Sequence, residues 1–259
     1  MTITKSPLDG DDVSAVTTVQ KSLLGRRIQI AGSASPKTDV ATTHYAHEIV
    51  AQTVREILNS GGGLVLAAGK EPRPDGASPE APSLIFDWTA LDVVAECLRR
   101  GCCDAWPDKF GHPIVLTISE KAELDIPDGR RQLYDELVDS GRVRLESIMA
   151  GSRAATLIRQ RQATFSDALI ILGGGTGVEH LAHLYQSRRK AVVPLDLAIG
   201  ASRDDGTGGA TRLAKYARAE PNRFLRFTTA FAGTEAALSG LATRNCAVPS
   251  RHCIARSIS

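Results

Sequence analysis

The stretch Asp167-Ala-Leu-Ile-Ile-Leu-Gly-Gly-Gly-Thr-Gly-Val-Glu-His-Leu-Ala182 decides how this chain folds. Residues 168–172 are a short apolar run with the length and β-branched content of a buried parallel strand. The run breaks at Gly173-Gly174-Gly175-Thr176, and an amphipathic helix carrying Glu179 follows. Glycine lets backbone amides approach an anion closely. A helix start offers N–H groups that lack intrahelical partners, at the positive end of the dipole. Strand, glycine turn and helix together make a place to hold a phosphate.

Alternating β and α segments continue on both sides of this unit. Strands are expected at 27–31, 64–68 and 114–118, an edge strand at 143–146, and a further strand at 191–195. Helices are expected at 40–58, 89–100, 130–140, 153–166, 179–188 and 211–219. Residues 69–82, crowded with Pro, Gly, Glu and Arg, read as a surface loop. Such alternation requires crossover connections, so the fold class is α/β: a Rossmann-like, largely parallel sheet with helices on both faces. Three strands end in glycine or small-residue loops, at 32–35, 173–176 and 198–210. Ligands of open α/β sheets bind outside the carboxyl ends of strands, so these loops predict one nucleotide-sized cleft.

The ends of the chain carry less pattern. Residues 1–20 read as a flexible arm, 21–220 as the nucleotide-binding domain, and 221–259 as a weakly structured extension or linker. Within that extension, Phe224-Leu-Arg-Phe227 suggests a strand, 234–243 a short helix and 245–259 a tail.

Composition narrows the function classes. A formal net charge of +2 and 5% aromatics argue against nucleic acid and anionic membranes as partners. No apolar run approaches the ~20 residues of a membrane span, and residues 1–12 lack the apolar core of a signal peptide. A cytoplasmic protein is expected. Five cysteines include no Cys-x-x-Cys pair and read as reduced thiols. A zinc site from Cys246, His252 and Cys253 lacks a fourth ligand at standard spacing. No metal and no cofactor are expected.

Four motifs occur in a telling order: the Ala31-Gly-Ser-Ala34 turn after the first strand, an Asp-Ala-Leu-Ile-Ile strand, the turn Gly175-Thr176-Gly177-Val178-Glu179, and Thr207-Gly-Gly-Ala210 after the last strand. Over residues 27–219 the chain resembles the SLOG superfamily, which joins the LOG ("lonely guy") lysine-decarboxylase-like proteins to the DNA-processing Smf family. The resemblance implies a domain that binds nucleotides or their derivatives. LOG enzymes are oligomeric phosphoribohydrolases that cleave the N-glycosidic bond of nucleoside monophosphates. A bacterial defence branch uses similar domains as sensors, linked to effectors, for signals such as cyclic ADP-ribose isomers. The chain departs from the LOG enzymes by placing Ile171-Leu172 where they carry Pro-Gly, and Arg159-Gln-Arg161-Gln where they carry Arg-Lys. The departures keep phosphate binding and weaken hydrolysis.

The candidate ligand residues follow from the loops. Gly32, Ser33, Ala34 and Ser35 either hold a phosphate or form a serine-capped turn. Gly174, Gly175, Thr176 and Gly177 carry the same two readings, with Thr176 a natural N-cap. Gly208 and Gly209 belong to the third loop. One of Arg153, Arg159 and Arg161 is suited to clamp the phosphate, and Lys70 could reach an anion. Glu179 is either a ribose ligand, a catalytic carboxylate acting with Arg159, or a helix-start acid favoured by the dipole alone. Asp87-Trp88 reads either as a base-stacking pair or as a capping Asp beside a core Trp, and His44 and His47 as helix surface or partial core.

Two functions remain. One is a sensor domain for a phosphorylated ribosyl ligand such as ADP-ribose or a cyclic isomer, serving bacterial anti-phage signalling through a partner or appended effector. The other is a LOG-like phosphoribohydrolase. Either implies a small-molecule nucleotide ligand and, by the resemblance, a homo-oligomer.

Overall fold

Residues 168–173 form a strand in which every side chain is buried. The computed structural model describes residues 22–76, 78, 80–201 and 209–224. In chain order the elements are β1 (Arg27–Ser33), α1 (Val40–Asn59), β2 (Gly63–Ala67), α2 (Asp87–Arg99), β3 (Ile114–Ser119), α3 (Glu120–Leu124), α4 (Asp128–Asp139) and β4 (Val143–Ile148). Then come α5 (Ala154–Phe165), β5 (Ala168–Gly173), α6 (Thr176–Ser187), β6 (Ala191–Leu195), α7 (Gly209–Ala219) and α8 (Pro221–Phe224).

All strand pairs are parallel, in the order β4-β3-β2-β1-β5-β6. The first four strands march outward from β1, and β5 then returns to its other side. The strand order therefore reverses between β1 and β5, where open α/β sheets place their ligands. Gly32 pairs with Leu172 and Ser33 with Gly173, so the two strands end together. Gly32 is required there, because a Cβ would collide with the Leu172 carbonyl. Pro194 is tolerated because β6 lies at a sheet edge, where a missing N–H costs no ladder bond.

Helices cover both faces. On one, Ile28, Ile30, Leu64 and Leu116 pack against Val50 and Val54 of α1 and Leu91 and Val94 of α2. On the other, Leu169, Ile171 and Val192 pack against Leu181 and Tyr185 of α6 and Leu213 of α7. Each such side chain contributes roughly 1.5–3 kcal/mol on burial. Helix ends are tied as well. Asp39 caps α1 by accepting from the Thr42 N–H at 2.8 Å, and the Lys190 ammonium donates to the Ala163 and Ser166 carbonyls at 2.8 and 2.5 Å.

Three local expectations are corrected. The helix after the glycine turn starts at Thr176, not Glu179, and Gly175 occupies the N-cap. Apolar periodicity starts late there because the first turn of α6 lines a cavity rather than the core. Phe224 ends the short helix α8 instead of starting a strand. Pro221 stands at its first position, where proline's fixed φ suits a helix, and Phe224 is buried in the second core. Residues 120–124 form an unanticipated helix, capped by Ser119, whose side chain accepts from the Ala122 N–H. The expected arm at 1–20, the loop at 206–208, residues 225–227, the helix at 234–243 and the tail at 245–259 lie outside the described residues.

Among the described residues no helix is long and apolar enough to cross a membrane, and no group of three or more metal-ligating side chains forms. Cys97, Cys102 and Cys103 form no disulfide among the described residues. Cys246, His252 and Cys253 lie outside the described residues.

Candidate functional site

A cavity of about 410 Å³ opens at the point where the strand order reverses, reaching from the carboxyl end of β5 across β1 to β2. Its polar groups fall into three regions.

At the first, Gly174 to Gly177 and Gly32-Ser33 form the wall. Gly174 has φ +73°, and a side chain there would strike Val178. Its N–H donates to the Ser33 carbonyl at 2.9 Å, and its own carbonyl accepts from the Gly209 N–H. The turn is thus held from both sides, and the α6 N-terminus opens on the cavity with no side-chain cap. Arg159, from α5, lies over this first turn: a Cβ on Gly177 would sit 3.0 Å from its Nη2, and its Nη1 is 3.4 Å from His180 Nδ1. A forked guanidinium beside helix-start amides suits a doubly contacted anion.

Asp87, the first residue of α2, lines the cavity from the second region, past β2. Its carboxyl group has no hydrogen-bond or ion-pair partner among the described residues. Burial away from water pushes its pKa up to about 7, because the charged form loses hydration without gaining a counter-charge.

Gln29 and Gln162 form a polar floor. Tyr185 donates to Gln29 Oε1 at 2.6 Å, and Ser166 Oγ lies against the same hydroxyl. Gln162 Nε2 donates to Thr117 Oγ1 at 2.9 Å, which in turn donates to the Leu66 carbonyl at 2.9 Å. Burial drives the Tyr185 hydroxyl well above the usual phenol range, so it is a fixed donor. Neither glutamine was anticipated, although Gln29 is the one polar residue in Ile28-Gln-Ile-Ala31 and a buried polar side chain in a central strand needs partners.

The expected ligand residues divide sharply. Gly32, Ser33, Gly174, Gly175, Thr176, Gly177 and Arg159 come together around the cavity. Ala34 and Ser35 sit behind it, with their N–H groups engaged by the Leu84 and Ile199 carbonyls at 2.7 and 2.5 Å. Gly209 braces the turn from the rear, and Gly208 lies outside the described residues. Lys70, Arg153 and Arg161 are exposed and do not line the cavity.

Glu179 faces elsewhere. With His183, Gln186 and Arg212 it lines a second cavity, and Arg212 Nε donates to its Oε1 at 2.7 Å. Trp88 is a core residue rather than a stacking platform, 1% exposed with its indole N–H bonded to the Gly69 carbonyl at 2.9 Å. His44 is exposed. His47 is bonded through Nε2 to the Ser83 carbonyl at 2.8 Å, and burial lowers its pKa.

A family model described as ATP nucleosidase Cap17-like, N-terminal, matches residues 23–251. The chain belongs to this family. Its sheet order and glycine-lined cleft fit the SLOG-type domain that the motifs predict. A curated relative, ATP nucleosidase Cap17 of Escherichia coli strain KTE188, is 27% identical over 200 residues. That match covers 75% of this chain and 36% of the relative, so the chain spans little more than a third of the curated relatives it matches. Among solved structures, DNA processing protein A from Helicobacter pylori, described for its single-stranded DNA binding mode, is 15% identical with a TM-score of 0.42. It covers 70% of this chain and 71% of its own. The Moco carrier protein of Chlamydomonas rheinhardtii is 17% identical with a TM-score of 0.39, covering 84% and 98%.

Proposed function

We propose that this domain is a nucleotide sensor. It binds a phosphorylated ribosyl ligand, such as ADP-ribose or a cyclic ADP-ribose isomer, as a signal in bacterial defence. The observation that carries this reading is the convergence of the α6 N-terminus, the 174–177 turn, Ser33 and the Arg159 guanidinium on one cavity at the sheet's switch point. Backbone amides, a helix dipole and a bidentate cation are complementary to a phosphate and make few demands on the rest of the ligand. Binding without turnover is favoured because Glu179, the acid that the LOG resemblance makes catalytic, is ion-paired to Arg212 in a separate cavity.

The family description names a nucleosidase, which supports a second reading: cleavage of an N-glycosidic bond in a nucleotide. One experiment separates the two. Purified protein is mixed with AMP, ATP, ADP-ribose and cyclic ADP-ribose isomers. Binding is followed by calorimetry and free adenine by chromatography. The sensor reading expects binding without base release, and binding lost in Thr176→Glu. That change sets a carboxylate against the incoming anion at a helix start that tolerates an acid. Adenine release by the purified chain would replace sensing by hydrolysis. Light scattering tests the accompanying expectation of at least a dimer.

A further inference from the structure

We infer that Asp87 is the sugar-recognising group of the cleft: its carboxylate accepts hydrogen bonds from the vicinal hydroxyls of a ribose whose phosphate rests on the 174–177 turn. This rests on the nucleotide-binding reading above and moves the ribose contact from Glu179, where the motif suggests it, to the start of α2 in the first cavity. Four observations support it.

Asp87 and Arg159 are the only ionisable side chains among the described residues that line the cavity, and they come from different elements, α2 and α5. Arg159 lies over the first turn of α6 and Asp87 stands at the start of α2, so the cavity carries one cation and one acid on different elements. The acid repels a second phosphate and accepts donors, which a diol supplies and an anion does not. The ligand class is therefore one with phosphate at one end and a free diol at the other.

The chain path agrees. Ile85 bridges to Ser33, so the segment leading into α2 is tied to the end of β1, next to the β5 turn. Asp87 follows two residues later and lines the same cavity as that turn.

Asp87 has no protein partner to satisfy it among the described residues, whereas Glu179 has Arg212. A carboxyl group so placed gains its full hydrogen-bonding complement only from something in the cavity. Dinucleotide folds use an acid near the neighbouring strand's end in a comparable way, on the ribose 2′-OH.

The test is calorimetry on the full chain with AMP and ATP and with their 2′-deoxy and 3′-deoxy counterparts, for the unaltered protein and for Asp87→Ala. The unaltered protein is expected to bind each ribonucleotide about tenfold or more tighter than either deoxy form, the scale of a charge-assisted hydrogen bond. Asp87→Ala is expected to bind all of them alike, at the deoxy level. Asp87→Asn keeps the size and one acceptor, and should retain only part of the preference; it serves if Asp87→Ala fails to fold by circular dichroism. Equal affinity for ribo and deoxy forms in the unaltered protein overturns the assignment and leaves nucleotide binding standing. Full discrimination surviving in Asp87→Ala does the same. Failure of every nucleotide to bind overturns both.

Discussion

The Tyr185 hydroxyl donates to Gln29 Oε1 at 2.6 Å, joining α6 to β1 directly beneath the cleft. Gln29 is 1% exposed and Tyr185 fully buried, so neither group has water as an alternative partner. Removing one partner leaves the other desolvated and unpaired, whereas removing both leaves nothing to satisfy. Tyr185→Phe should lower stability by about 1–3 kcal/mol, and Gln29→Leu combined with Tyr185→Phe should recover part of that loss. Chemical denaturation of the single and double variants measures it. Strict additivity would mean that the bond holds nothing together.

Arg159 alone among the three helix-5 region arginines is expected to matter for ligand affinity. Arg159→Ala should weaken binding of a phosphorylated nucleotide by roughly tenfold or more, since a bidentate charge-assisted contact is lost. Arg153→Ala and Arg161→Ala, whose side chains are exposed and outside the cavity lining, should change affinity less than about twofold. A titration series on the three variants ranks them, and a ranking led by Arg153 or Arg161 would relocate the phosphate.

Asp87 gives the fold a pH dependence of unusual sign for a carboxyl group. Unfolded, it ionises near its ordinary value of 3.8; folded, burial raises that to about 7. Between those values the folded chain binds more proton than the unfolded one, so its contribution to stability is present at low pH and is lost as pH rises to about 7. Asp87→Asn removes the effect. The variant should exceed the unaltered protein by roughly 1–4 kcal/mol at pH 8, with the gap closing towards pH 4. Denaturant midpoints at both pH values check this, and a gap independent of pH would contradict it.

Glu179→Gln breaks the pair with Arg212, a half-exposed partner at the surface. Surface pairs contribute about 0–1 kcal/mol, so the melting midpoint should hardly move. Nucleotide affinity should stay within about twofold, because the side chain faces the second cavity. A loss of binding comparable to that of Arg159→Ala would place Glu179 at the ligand after all.

The parallel sheet and the glycine-turn wall of the cleft were legible because glycines and apolar runs report local backbone needs. Gly173 and Gly174 both adopt φ > 0, and β5 is buried along its length, as the sequence pattern requires. Which cavity Glu179 lines depends on helix phase. Val178 and Leu181 turn towards the cavity, while Glu179, His183 and Gln186, spaced i, i+4 and i+7, form the opposite stripe. That stripe is visible in the sequence once the helix start is set at Thr176 rather than Glu179. Asp87 was harder to place, since residues 80–86 before it carry no helix or strand period and the Ile85–Ser33 bridge beside it is a tertiary contact.

The return of β5 to the far side of β1 sets an order of events during synthesis. Residues 27–148 contain four consecutive strands and can pair among themselves as they leave the ribosome. Until residues 168–173 arrive, β1 is an outer strand with Ile28 and Ile30 on an open edge, a template for pairing with another chain. Closing that edge joins segments about 140 residues apart, a contact with a large entropic cost and a slow approach. The same closure sets Gly174 against Ser33 and creates the cleft. Nascent chains therefore complete the cleft and lose the open edge of β1 in one step.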